Sequence, residues 1–447
     1  MLKPTSTAQR AAKRWIYDAL ISRLSPETIT KNRLRHALLA RLSPDTLALH
    51  GGQPIPVEGF ATMRVPVDAL AYFAGDPPRA YQIEQWLPIL EQLHVTHPVL
   101  VVTRNLGMFR RLEGRTGLPV VFALRLAAVE DLLARTDPKV CLYVNNASAN
   151  FLALSWRRAL HVHLNHGESD KVSMASNQAK AYDFVLVAGE AAEARYRDNL
   201  LSFDGSNLVR IGRPQLDLEF PPMLPASARR TVLYAPTWEG DTPAMDYTSV
   251  PKYGPRLVRA LVASGDFRVV YKPHPRVVTG SRRVVAAHKE IVRTLESANG
   301  GLPKTDRHFV QIDTPILGLF QSCDAIVCDV SSVAVDWLYL RTDAPLWVCD
   351  PFDDREALVG SSPLAERAYV LDTGVMQDVV ARIRDSLETD PRRAEREEGR
   401  QFYFGDLTPG ESTQRFLDTI DAFIAQRDEL LAAKATGGMT RLAAGMA

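Results

Sequence analysis

Two successive series of short, continuously apolar segments, each interleaved with helix-length stretches, constrain this chain more than any other feature. The first series is Ala71–Ala74, Pro98–Val102, Pro119–Leu124, Val140–Val144, Leu160–Leu164 and Phe184–Ala188, with helical spacing at Tyr81–Leu93, Asn105–Arg115 and Ala127–Arg135. The second is Thr231–Ala235, Phe267–Tyr271, Phe309–Ile312, Ala325–Cys328, Pro345–Val348 and Tyr369–Leu371. Its helices fall at Pro255–Ala263, Ser281–Ala298, Ile316–Gln321, Ser331–Leu340 and Met376–Leu387. Runs that are apolar throughout, rather than alternating, mark parallel strands covered by helices on both faces. Between the series lie Ile211-Gly212-Arg213-Pro214 and Phe220-Pro221-Pro222-Met223-Leu224-Pro225, the best linker candidate. The pattern predicts two Rossmann-like, doubly wound α/β domains facing a cleft, where ligands commonly bind. The boundaries read as 1–67 for a basic helical lead-in, 68–220 and 221–410 for the two domains, 411–434 for a long amphipathic helix, and 435–447 for a frayed tail.

Charge excludes some functions and suggests one contact. With 53 Lys and Arg against 52 Asp and Glu, the chain lacks the basic excess of a general nucleic-acid binder. Residues 1–42 nevertheless hold nine bases and two acids on a segment with helical apolar spacing at Trp15, Ile16, Leu20, Ile21 and Leu24. A basic amphipathic helix of this kind either lies on an anionic membrane surface or packs as an outer helix on its own domain. The longest uncharged run, Val140 to Trp156, carries Asn145, Asn146 and Asn150 and is not a bilayer span. Cys141, Cys323, Cys328 and Cys349 have no CxxC spacing, which fits a reducing cytoplasmic compartment rather than a disulfide scaffold.

Three polar clusters fall where strands end, which is where open α/β sheets bind ligands. Ser331-Ser332 opens the helix after Ala325–Cys328, so free N–H groups and two hydroxyls offer an anion site. Asp336, one turn further on, is the only ionisable side chain before Tyr339 in that helix, and a ribose diol would suit it. Lys272-Pro273-His274-Pro275-Arg276 ends the strand Phe267–Tyr271; its bases favour an anion and depress the imidazole pKa. Asn165-His166-Gly167-Glu168-Ser169-Asp170-Lys171 ends the strand Leu160–Leu164 and leaves His166 poised as a general base. Each cluster also has a bland reading, as a helix cap, a proline turn and a glycine turn respectively. His161, His163 and His166 invite a metal, but few carboxylates accompany them, so no metal site is expected. Thr237, in Pro236-Thr237-Trp238, and Asp217 are lesser candidates. No GxxxxGK[ST], GxGxxG after an early strand, or GxSxG elbow is present.

In this order the clusters resemble the CDP-glycerol glycerophosphotransferase family, the teichoic acid and capsule polymerases of bacterial envelopes. The matching residues are His166-Gly167 with Lys171, Ile211-Gly212-Arg213-Pro214 with Asp217, Tyr234-Ala235-Pro236-Thr237-Trp238, Lys272-Pro273-His274-Pro275, and Asp324 and Asp329 with Ser331-Ser332 and Asp336. The resemblance implies a GT-B-like fold with the nucleotide in the second domain and the terminal helix crossing back. It also implies association with the inner membrane face and no obligatory metal or cofactor. His166 would activate an acceptor hydroxyl and His274 would serve the transferring phosphate. Ser331, Ser332, Lys272 and Thr237 would hold the diphosphate and Asp336 the ribose, with Gly167, Lys171, Arg213, Asp217 and Arg276 lining the cleft. The donor would be CDP-glycerol and the acceptor an envelope polymer or lipid-linked hydroxyl, with CMP released.

The chain departs from the family pattern in four places. Gln215 stands where the family carries arginine, Val330 where it carries tyrosine, and Glu239 where arginine often follows Thr-Trp. Glu168-Ser169-Asp170 replaces a neutral run after His-Gly. Three of these changes are expected to make the phosphate path more negative. Two alternatives therefore stay open: a nucleotide-sugar glycosyltransferase of the same fold, and a catalytically inactive nucleotide-binding scaffold.

Overall fold

The computed structural model describes residues 46–50, 53–55, 67–112 and 114–444, with side chains from residue 67 to 435 apart from 113 and 244. The basic segment of residues 1–42 lies outside the described residues.

The first sheet has nine strands in the order β2-β1-β5-β4-β3-β6-β7-β8-β9. They are β1 Thr46–His50, β2 Gln53–Ile55, β3 Ala69–Phe73, β4 Val99–Thr103, β5 Val120–Ala123, β6 Val140–Tyr143, β7 Leu160–His163, β8 Phe184–Val187 and β9 Leu208–Arg210. The strands from β3 onward pair in parallel, whereas β1 and β2 extend the β5 edge antiparallel. The second sheet is wholly parallel, in the order β12-β11-β10-β13-β14-β15. These strands are β10 Arg230–Ala235, β11 Phe267–Tyr271, β12 Phe309–Val310, β13 Ala325–Cys328, β14 Leu346–Cys349 and β15 Tyr369–Leu371.

Both sheets have the doubly wound order in which the first strand of the unit lies centrally and the order reverses beside it. The switch points are β3/β6 in the first sheet and β10/β13 in the second. Their strands are apolar throughout because helices cover both faces: every residue of β3, β4, β5 and β6 is buried. The pairing Ala235↔Cys328 brings the ends of β10 and β13 level, so Thr237 and Asp329 emerge side by side.

Local signals set the helix ends. The helix Gly254–Ser264 stops at Gly265, whose φ of 74° is a left-handed conformation that favours glycine. The helix Arg282–Ala298 starts where Ser281 accepts a hydrogen bond from the Val284 N–H.

The terminal helix, Glu411–Ala444, runs on past the Lys434 expected from sequence. Its alanines tolerate a helical path that Gly437 and Gly438 weaken but do not break. It crosses back onto the first sheet, where Phe416, Ile420, Phe423 and Ile424 join the core containing Trp86, Leu164 and Leu186. Phe423 stacks on Phe184 at 4.1 Å. Asp217 fixes the start of this helix by accepting from the N–H groups of Gly410 (2.8 Å) and Thr413 (2.6 Å). The expectation that Asp217 lines the cleft is thereby corrected: its carboxylate is spent on capping. Gly212, at φ 72°, packs against Ser412, a close approach that a side chain would block.

Candidate active site

His166 is held by amides. The preceding Asn165 has a left-handed φ of 59°, and its Oδ1 accepts the His166 N–H at 2.8 Å. Trp86 donates its indole N–H to the Asn165 carbonyl (2.6 Å), and Gln85 donates to the His166 carbonyl (2.5 Å). The imidazole Nδ1 faces the Val144 carbonyl at 3.2 Å. A carbonyl only accepts, so this partner assigns the proton to Nδ1 and makes Nε2 the acceptor edge of the ring. Gln82 Nε2 approaches that lone pair at 3.4 Å and is itself oriented by Asn145 (2.9 Å). Burial and, after it, Arg213 drive the His166 pKa down to about 4, so the ring is neutral at neutral pH.

His274 has the opposite arrangement. Its Nδ1 accepts from the Arg276 N–H at 3.1 Å, which assigns the proton to Nε2 and makes that edge a donor. Burial lowers its pKa to about 3, assisted by Lys171, Lys272, Arg276 and His166. Lys272 donates to the Ile312 carbonyl (2.6 Å), while Lys171 reaches across from the first lobe to the Thr237 hydroxyl (2.9 Å). Burial pushes both lysines down to about 8. Asp329 lies beneath them, accepting from the N–H groups of Thr237 (2.7 Å) and Ser249 (3.2 Å), and burial raises its carboxyl to about 7. Arg276 stacks on Trp238 at 3.5 Å and pairs with Asp241 at 2.9 Å.

The helix Ser332–Leu340 is preceded by Ser331 in extended conformation, making no side-chain cap bond. The Ser331 hydroxyl is buried and has no partner among the described residues, a costly state unless a ligand supplies one. Gly167 lies against Ser332, where a Cβ would meet the Ser332 Cβ at 3.0 Å. Glycine at this position lets the two lobes touch.

A residue missed in sequence joins the two imidazoles. The ring of Tyr81, first residue of the short helix Tyr81–Glu84, meets His166 edge-on at 5.9 Å and His274 edge-on at 5.8 Å. Tyr81, Gln82 and Gln85 were legible only as part of a helix, since nothing in its spacing identifies which face supports a histidine more than eighty residues away.

Three further expectations are corrected. Asp336 is 2 % exposed and paired with Arg213, Nε to Oδ1 at 2.6 Å and Nη2 to Oδ2 at 3.0 Å. Burial raises its carboxyl to about 6, against the pull of Arg213, so the pair is ionised at neutral pH. A carboxylate enclosed in this pair is not presented to a ribose. Arg213 also donates to the His166 carbonyl and to Gln85, tying the ion pair to the imidazole loop.

Glu168 and Asp170 do not make the phosphate path negative, because Arg195 binds both (2.5 and 3.1 Å) in a buried cluster. Asp170 continues across to the other lobe, accepting from Ser362 (2.8 Å) and Tyr403 (2.5 Å). Glu239 turns away from the phosphate path to accept the Ser281 N–H at 2.6 Å.

His161 and His163 belong to the core, His161 bonded to Tyr143 and the Trp156 carbonyl, and His163 stacked on Tyr182. Among the described residues no group of three or more His, Cys, Asp or Glu is placed to hold a metal, and the four cysteines are buried and free. No described helix is long and apolar enough to cross a membrane.

Two facing Rossmann-order sheets, with histidines, lysines and a helix N-terminus gathered at their carboxyl edges, define a GT-B-like fold. The solved structures it resembles share this fold. A histidine-to-asparagine variant of the wall teichoic acid polymerase TagF, soaked with CDPG, aligns over 95 % of this chain and 100 % of its own, at 11 % identity and TM-score 0.54. TagF without that substitution gives 12 % identity and TM-score 0.52 over the same shares. A protein described as a UDP-N-acetylglucosamine 2-epimerase from Listeria monocytogenes aligns over 81 % of this chain and 98 % of its own, at 14 % identity and TM-score 0.55. No curated protein matches the chain by sequence. Residues 157–348 match the model of the CDP-Glycerol:Poly(glycerophosphate) glycerophosphotransferase family, a segment that contains every site residue expected from the sequence but not Tyr81, Gln82 or Gln85. The resemblance read from the motifs holds over that segment, and the fold is shared with the structures above.

Proposed function

We propose that the protein transfers glycerol phosphate from CDP-glycerol to a hydroxyl of an envelope polymer or lipid-linked acceptor, releasing CMP. The observation that carries this reading is the pair of neutral imidazoles of opposite tautomer, one from each lobe, beside a cation cluster and an unsatisfied serine at a helix N-terminus. His166 Nε2 takes the proton of the acceptor hydroxyl as its oxygen attacks the β-phosphorus. The bond from that phosphorus to the bridging oxygen breaks, and its electron pair leaves with CMP. His274 donates Nε2–H to a phosphoryl oxygen, while Lys171, Lys272 and Arg276 offset the diphosphate charge. Ser331, Ser332 and the helix N-terminus hold the diphosphate. As the phosphate arrives, its charge opposes the cations that depress His274, so the ring's pKa rises and it takes up and holds a proton more readily.

The test is incubation with CDP-glycerol labelled at the β-phosphorus, with and without a glycerol-phosphate-primed acceptor, alongside UDP-sugars. Acceptor-dependent CMP release with label in the acceptor is expected. UDP release from a sugar donor instead would establish the glycosyltransferase alternative, and binding without turnover of any donor the scaffold.

We also propose that residues 1–42 hold the enzyme on an anionic membrane surface. Salt-sensitive liposome flotation by the full chain, lost on truncation, is expected; equal flotation of both would refute it.

A further inference from the structure

We propose that Tyr81 is a gating residue that fills the phosphoryl-transfer position when no donor is bound, shields both imidazoles from water, and swings outward to admit the donor. This inference rests on the proposed reaction for its catalytic consequence, but its geometric content stands by itself.

The Tyr81 ring touches the imidazoles of both lobes, His166 at an interplanar angle of 74° and His274 at 89°. If both imidazoles serve one phosphorus, that phosphorus must occupy the space the phenol ring now takes. A shallow recess exists nearby, lined by Trp86, Gly167, Ile211, Arg213 and Gln215 among others, but neither imidazole and neither serine lines it. It cannot substitute for the space between the rings.

Tyr81 is also built to move. It is 37 % exposed, so its outer side has solvent to swing into. It opens a helix of only four residues, preceded by Pro77-Pro78, so repositioning it disturbs few backbone hydrogen bonds. The neighbouring Gln82 and Gln85 hold the His166 ring and carbonyl, and outward motion of Tyr81 gives up only its side-chain hydrogen bond to Gln82. Arg79 and Arg276 lie close enough to pull on the phenol and would meet an incoming phosphate once the ring has left. Both histidines stay partly exposed, and the Tyr81 ring against them adds to the burial that lowers their pKa values.

The chemical consequence concerns water. With the gate removed, a water molecule attacks the β-phosphorus, the bond to the bridging oxygen breaks, CMP leaves, and His166 takes the water proton. The products are CMP and glycerol phosphate.

The primary test needs no donor: histidine carbethoxylation by diethylpyrocarbonate in the full-length protein, followed site by site by mass spectrometry. Tyr81→Ala is expected to speed modification at His166 and His274 by about tenfold or more. Tyr81→Phe, which keeps the ring, is expected to react at the wild-type rate. Unchanged rates in Tyr81→Ala, with the fold verified by circular dichroism, would overturn the shield; a Tyr81→Phe rate matching Tyr81→Ala would shift the role to the hydroxyl and overturn it equally. The catalytic test is acceptor-independent CMP release from CDP-glycerol, expected to rise severalfold in Tyr81→Ala while the donor KM falls. If the wild type releases no CMP from CDP-glycerol under any condition, the proposed reaction fails, and carbethoxylation still decides the gate.

Discussion

The two halves of the site place the same side chain by different physics. In the first lobe, neutral amides fix His166: Gln82, Gln85, Asn145 and Asn165 surround it, and burial is the main cause of its low pKa. In the second lobe His274 is half-buried, three cations stand around it, and its backbone neighbour Arg276 fixes its tautomer. The Val144 carbonyl leaves His166 offering a lone pair; the Arg276 backbone N–H leaves His274 offering a proton. Complementary roles thus follow from the partners rather than from the residue type.

Removing either ring should break the comparison most severely. His166→Ala and His274→Ala are each expected to cost roughly 10²–10⁴ in kcat, the usual worth of a positioned acid or base, with melting temperature little changed. Near-normal turnover in both variants would end the proposed chemistry.

The next largest effect is on stability. Arg213→Met strips the buried Asp336 of its partner and should cost about 3–5 kcal/mol in denaturant unfolding, while Arg213→Met with Asp336→Leu should recover much of it. A single variant as stable as wild type would show that the pair does not hold the lobes together.

Sharper still is the split between lobes. Gln82→Ala should lower kcat about tenfold or more through a loosened His166, with little change in donor KM. Lys272→Met should do the reverse, raising donor KM about tenfold through loss of a charge-assisted contact. Identical effects of the two on both constants would erase the distinction.

The smallest expected effect lies in the pH profile of kcat/KM, which reports the free enzyme. A base works deprotonated, so the lowered pKa of His166 moves the acidic limb from the usual 6.5 down toward about 4. Phosphate-binding lysines work protonated, so the alkaline limb should fall near 8, where Lys171 and Lys272 lose their charge. A midpoint at 6.5 on the acid side would mean that His166 is solvated in the working enzyme.

How much of this was legible in the sequence depended on range. The strands β11, β13 and β15 coincide with the apolar runs that signalled them, because burial on both faces leaves a continuous local imprint. Ser331-Ser332, His166 and His274 were legible as strand-end polar clusters for the same reason. Partners far apart in sequence left no imprint: Asp336 with Arg213, Asp217 with the start of the terminal helix, and Glu168 and Asp170 with Arg195. Asp336 was read from its place in the helix, Asp217 from its motif and Glu168 and Asp170 from their charge, and each is a carboxylate satisfied by a partner that only the fold supplies. Strands β1 and β2 were missed because they pair antiparallel at an edge, outside the two repeating series.

The most direct test is a crystal structure of the His166→Ala variant soaked with CDP-glycerol. The diphosphate should lie at the N–H groups and hydroxyls of Ser331 and Ser332, with the β-phosphorus within hydrogen-bonding reach of His274 Nε2 and facing the vacated position of residue 166. A diphosphate bound away from that helix N-terminus, or a β-phosphorus remote from His274, would contradict the account.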